Sequence, residues 1–154
     1  LLLIGEGAKR QKLQQRAHRL QLANVFFLDP LPLEALSGSL SAADLAVVAL
    51  DGPAAAASLP SKTFSALACG TPLLVIAPLD SALAQLVHQH RCGLVVQPGP
   101  TAAQEITTLL ISLVTQPGKM AKLAANALTA SRHYTPANAE RLVDDWLNFP
   151  TLAL

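Results

Sequence analysis

Three residues at the head of one short helical pattern carry the strongest chemical signal in the sequence. Ser61, Lys62 and Thr63 follow a ten-residue connection, 51–60, which is long for a compact α/β chain. A helix start offers amides that lack intrahelical acceptors, together with the positive end of the helix dipole. Phosphate binds there, and a neighbouring ammonium adds a point charge. The Gly-x4-Gly-Lys-[Ser/Thr] run of a triphosphate-binding loop is absent. The plain alternative makes Ser61 a helix cap and Lys62 a solvated cation.

A second signal is Gly5-Glu6-Gly7, directly after an apolar run. With Asp29 it imitates a dinucleotide fingerprint, in which an acid about 20 residues further on binds ribose. That fingerprint needs its third glycine at position 10, which is Arg10. Other candidates carry less. His18, His88, His90 and His133 show no metal-ligand spacing, and His88 and His90 are two apart on a helical pattern and do not face each other. Ser58 and Ser61 lack the glycines of a nucleophile elbow. Cys69 and Cys92 lie among small or apolar residues and read as buried thiols of a reducing compartment.

The elements that must position these residues alternate regularly. Residues 1–5, 24–28, 44–50, 72–77 and 93–97 read as strands. Residues 8–22, 33–42, 61–69 and 81–90 read as the helices between them. Leu13, Ala17 and Leu20 form the apolar face of the first helix. Gly70 closes the helix at 61–69, and Asp80 is the expected N-cap of the helix at 81–90. After Pro98 only helices remain. Thr101 to Gln104 forms a capping box opening a helix to about 116, a second helix covers 119–133, and Thr135-Pro136 opens the last, near 136–148. Alternating strands and helices with near-continuous apolar strands imply an α/β fold. It is a Rossmann-like parallel sheet of at least five strands, covered by helices, with a helical C-terminal tail. Ligands of such sheets bind beyond the carboxyl ends of the strands. That points to the loops at 5–8, 28–31, 50–61 and 77–81.

Bulk properties narrow the function. The chain has 154 residues, 51% hydrophobic and 14% charged, which excludes disorder and suits one domain, 1–154. Formal charge is +1, from 11 Lys+Arg and 10 Asp+Glu, so no global field favours nucleic acid. Lys9, Lys12, Arg16 and Arg19 form a local stripe that reads as a solvated face. It lacks the interleaved aromatics of a nucleic-acid site and the apolar face of a membrane-inserting helix. No apolar run reaches the roughly 20 residues of a membrane span. The opening on Leu1-Leu2-Leu3-Ile4-Gly5 reads as the inside of a buried strand, hence as a piece of something longer.

The run "LPSK…SALACGTPLLVIAP" resembles the C-terminal domain of GT-B glycosyltransferases of family GT4, with its Pro-Ser-Lys-x-x-Glu-x-x-Ala-x-Gly-x-Pro pattern. It is most similar to the colanic-acid and exopolysaccharide subgroup. "LLLIGEGAKRQKLQ", "NVFFLDPLP", "LSAADLAVVAL" and "CGLVVQPGP" resemble further landmarks of that domain in the right order, and together they cover residues 1–146. The resemblance implies one half of a GT-B fold that binds a UDP- or GDP-linked nucleotide sugar without metal or other cofactor. It implies a retaining hexosyltransferase in glycan biosynthesis, cytoplasmic or at the inner face of the cell membrane, with peripheral membrane association. The acceptor would be held by an N-terminal domain absent from this chain, so the fragment alone would be inactive.

The same resemblance assigns roles. Gly5, Glu6 and Gly7 would lie beside the nucleotide, and Leu28, Asp29 and Pro30 would edge the base. The backbone at Leu59, Ser61, Lys62 and Thr63 would hold the diphosphate. Ser58 would lie toward the sugar, and Ser65 toward the ribose. No catalytic side chain is assigned, and the strand bearing the family's phosphate-binding Arg and Lys would precede Leu1. Three acidic positions of the pattern are neutral here, at Ala57, Ser65 and Ala82. The competing reading is therefore a non-catalytic nucleotide-binding or pseudo-transferase module.

Overall fold

The computed structural model describes residues 1–50 and 53–148. Its elements run β1 (Leu2–Ile4), α1 (Arg10–Arg19), β2 (Phe26–Leu28), a 3₁₀ turn (Leu33–Ala35), α2 (Leu36–Ser41) and β3 (Ala46–Ala49). They continue through a second 3₁₀ turn (Pro53–Ala56), α3 (Ser61–Ala68), β4 (Leu73–Ile76), α4 (Ala82–His90) and β5 (Gly93–Val96). Three helices follow, α5 (Ala102–Thr115), α6 (Pro117–Ser131) and α7 (Pro136–Leu147). The expected α/β alternation and helical tail are present.

Among the described residues all strand pairs are parallel, in the ladders β1-β2 and β3-β4-β5, which together hold the five expected strands. Apolar runs reveal strands and say nothing about which neighbour each strand bonds. Contacts group the chain into two compact units, Leu1–Ser39 and Leu40–Leu154.

In the larger unit β4 is the central strand, and Leu73, Leu74 and Val75 are all buried. Helices cover it with Ala66 and Leu67 of α3, Leu83, Leu86 and Val87 of α4, and Ala127 and Ala130 of α6. Each fully buried Leu or Val contributes about 1.5–3 kcal/mol, so this cluster fixes where α3 begins and points. Cys92 is fully buried, and burial pushes its thiol up to about 11, which leaves it a protonated, inert packing group. Cys69 is only half-buried, against expectation.

Several helix ends differ from the sequence reading. Ser81, not Asp80, caps α4: its backbone is extended, and its hydroxyl accepts the Ala84 amide at 3.2 Å. Thr101 has helical dihedrals, so its side chain makes no capping hydrogen bond and the expected capping box does not form. Thr135 takes the extended N-cap conformation, but the Asn138 amide bonds its carbonyl instead of its hydroxyl. Gly70 does close α3, at φ +71°. The Thr71 amide donates to Ala66 and the Gly70 amide to Leu67, the paired bonds of a Schellman ending.

Within the smaller unit α1 starts two residues later and ends three residues earlier than the apolar spacing suggested. Its expected apolar face is barely covered, since Leu13 and Leu20 are 43% and 53% exposed. Among the described residues no helix is long and apolar enough to cross a membrane.

Candidate functional site

The candidate residues fall into two groups, one in each compact unit. In Leu1–Ser39, parallel pairing of β1 with β2 brings the ends of both strands level, with Ile4 opposite Leu28. The loops that follow therefore start side by side. Gly5 takes φ +119°, a conformation that only glycine adopts readily, and its amide donates to the Leu28 carbonyl at 3.1 Å. Glu6, Gly7, Leu28, Asp29 and Pro30 are exposed. An open hollow of about 210 Å³ lies against the turn, edged by Gly5, Glu6, Gly7, Lys9 and Arg10.

Arg10 is the residue that sequence reasoning missed. Its guanidinium donates to the Gly5 carbonyl at 2.7 Å and the Leu28 carbonyl at 3.1 Å through Nη1, and to Asp29 Oδ1 at 2.8 Å through Nη2. The position that a dinucleotide fingerprint would give to glycine thus holds a side chain that engages the acid. In this structure Asp29 pairs with Arg10. The available signal was an arginine opening the helix after a Gly-x-Gly turn, with an acid at the end of the next strand.

In Leu40–Leu154 the other group sits on α3 and the residues before it. Asp51 and Gly52, the start of the expected loop, lie outside the described residues. The rest of that connection contains the 3₁₀ turn at Pro53–Ala56. Pro60 occupies the N-cap position with extended backbone, so Ser61 is the first helical residue and not the cap. Ser61 and Lys62 are exposed, Leu59 is 40% exposed, and Ser58 and Ser65 are half-buried. Ser61 and Ser65 are four apart and share a helix face.

Thr63 points the other way. It is fully buried, its amide donates to the Pro60 carbonyl at 2.9 Å, and its hydroxyl has no hydrogen-bond partner among the described residues. The first-turn amides without an intrahelical acceptor are thus those of Ser61 and Lys62. The opposite face of α3 is anchored by Ala66 and Leu67 in the core and by Phe64, whose ring centre lies 4.9 Å from that of Tyr134. Of the three neutral positions, Ala57 is exposed just before Ser58, and Ala82 is the first residue of α4.

The histidines form no ligand set. His90 and Tyr134 share a hydrogen bond at 3.2 Å, and the His90 and His133 rings are 5.2 Å apart. Among the described residues no group of three His, Cys, Asp or Glu side chains could hold a metal ion.

Known proteins resemble this arrangement. A comparison with curated protein sequences finds no match. Among solved structures, the Anabaena protein Alr3699/HepE, crystallised with UDP-glucose, aligns with TM-score 0.76 and 23% identity. The alignment covers 95% of this chain and 40% of that one. Sucrose-phosphate synthase from Thermosynechococcus elongatus aligns with TM-score 0.74 and 23% identity, over 96% and 37% of the two chains. WaaG, a glycosyltransferase involved in lipopolysaccharide biosynthesis, aligns with TM-score 0.69 and 23% identity, over 86% and 33%. The chain therefore spans well under half the length of these relatives, and at such identities the likeness establishes the fold. The sequence itself is more specific. Residues 1–129 match the family described as "Glycosyl transferases group 1", and with that match covering most of its 154 residues the chain belongs to this family.

Proposed function

We propose that this chain is the donor half of a retaining, metal-independent glycosyltransferase, of the GT4 type that builds exopolysaccharide or related glycans at the cytoplasmic face of a membrane. The carrying observation is the exposed start of α3. The two amides without an intrahelical acceptor, a dipole end and the Lys62 ammonium are grouped there, and the buried face of α3 holds them in place. In the proposed reaction this helix end binds the diphosphate and stabilises the negative charge that develops on it as the sugar leaves. Within Leu1–Ser39, Gly5 to Gly7 and Leu28 to Pro30 form a separate candidate surface, an open hollow of about 210 Å³ beside the Gly5 turn with backbone groups suited to a nucleoside. The acceptor is bound by a second domain, so this chain alone transfers nothing. The solved HepE complexes with UDP-glucose and UDP support a nucleotide sugar as the ligand class.

Calorimetric titration with UDP- and GDP-linked sugars, with and without EDTA, tests the reading. Binding of one of them, unaffected by EDTA, is the expected result. Lys62→Ala should weaken it by about 1–2 kcal/mol, the scale of a charge-assisted contact. Equal affinities for wild type and variant would remove Lys62 from the site. The neutral residues at Ala57, Ser65 and Ala82 favour a second reading, a pseudo-transferase module with an eroded donor site. That reading expects no binding of either sugar nucleotide even at millimolar concentration.

A further inference from the structure

Arg10 ties together two loops that the sequence keeps 23 residues apart, from Gly5 to Leu28. Its planar fork satisfies two backbone carbonyls and one carboxylate at once. A lysine ammonium, which is a point donor on a flexible stem, cannot reproduce that geometry. The ion pair to Asp29 is not the reason for the arrangement, because the Asp29 side chain is 87% exposed and such a pair contributes little. The two carbonyl contacts matter more. The Gly5 carbonyl belongs to the one residue of the turn held at φ +119°, and the Leu28 carbonyl also accepts the Gly5 amide. The Arg10 side chain is 22% exposed, and the Arg10 amide donates to the Gly7 carbonyl at 2.9 Å. One residue thus fixes both ends of the Gly5–Gly7 turn and the terminus of β2.

We propose that Arg10 is a positioning residue for nucleoside recognition. It does not touch the nucleotide. It holds the Gly5 turn and the Leu28–Asp29 backbone in one fixed relation, so that the base and ribose meet preset backbone groups. The inference rests on the nucleotide-sugar reading above and adds a structural requirement to it.

The test measures, on the whole chain by calorimetry, the ratio of affinities for a nucleoside diphosphate (UDP or GDP, whichever binds better) and for inorganic pyrophosphate. Pyrophosphate lacks the nucleoside, so the ratio isolates what the base and ribose contribute. Arg10→Met should lower the ratio about tenfold, the loss expected when a binding surface is no longer preorganised, and leave pyrophosphate affinity unchanged. Arg10→Lys should fail to restore it, since charge is kept and the fork is lost. If Arg10→Met does not fold, the Arg10→Lys ratio decides in its place.

An unchanged ratio in a folded Arg10 variant overturns the proposal. Equal weakening of nucleotide and pyrophosphate also overturns it, by making Arg10 a direct phosphate ligand. Full rescue by lysine overturns it by reducing the role to charge. A wild-type chain that binds pyrophosphate but neither nucleotide refutes the functional reading itself, a result distinct from the other three.

Discussion

A β-carbon placed on Gly93 would stand 2.2 Å from the carbonyl oxygen of Leu73, its register partner across the β4-β5 ladder. The contact is with backbone in the central strand, so no side-chain rotation relieves it. Gly93→Ala must push β5 away from β4 and should cost about 3 kcal/mol, the upper range for overpacking. Urea unfolding reads this directly. A wild-type midpoint would mean that the two strands separate at no cost.

Arg91 closes α4 in the left-handed region at φ +50°, with the Cys92 amide donating to Val87 and the Arg91 amide to His88. It performs the same ending as Gly70, but with a side chain that disfavours the conformation. Arg91→Gly should raise stability by about 1 kcal/mol, and Arg91→Ala should not. If thermal melting ranks glycine below arginine, the side chain contributes something that these hydrogen bonds do not reveal.

Burial lowers the His90 pKa below the ordinary 6.5, and nearby His133 lowers it further. The folded chain therefore holds this proton less tightly than the unfolded chain does. Between the lowered value and 6.5 the unfolded state binds more protons. This contribution to stability is complete above that window and is lost as pH falls through it. Urea midpoints at about pH 8 and about pH 5.5 should differ less in His90→Gln than in wild type. An identical pH dependence in the two proteins would assign the effect to other groups.

Ser65 occupies the position where the resembled pattern carries an acid, half-buried on the same face of α3 as Ser61. If the donor site is intact, Ser65→Glu gives ribose hydroxyls a charged acceptor and should raise nucleotide affinity by about 1 kcal/mol. In a remodelled site the new carboxylate is unpaired and binding falls. Clear loss of affinity in a folded variant would show that the family's donor site does not transfer to this residue.

What the sequence made legible is what depends on composition and short-range spacing. β4 was visible as an apolar run because a strand covered on both faces needs no polar alternation, whereas β3, which exposes Val47 and Ala49, and the partly covered β5 were visible through their aliphatic and β-branched residues. The Gly70 ending was visible because few other residues suit that backbone. The α4 cap was misread by one residue because Asp80 and Ser81 are both good caps, and backbone dihedrals choose between them. Which strand pairs with which depends on contacts across long separations, which no periodicity records. Arg10 was hidden for a similar reason: its role exists only once β1 and β2 pair and Gly5 turns. The buried side of Thr63 was recoverable. Thr63 precedes Ala66 and Leu67 by three and four residues, the spacing of one helix face.

No residue of Leu1–Ser39 is buried, while the core lies entirely within Leu40–Leu154. Segments that bury little open at low free energy, so amide hydrogens of β1 and β2 should exchange with solvent well before those of β4. A ligand held by the turn after β1 would slow that exchange in proportion to its occupancy. The weakest part of the chain is thereby its most sensitive reporter: deuterium uptake at Leu2–Ile4 and Phe26–Leu28 would register a bound molecule even where the rest of the protein stays silent.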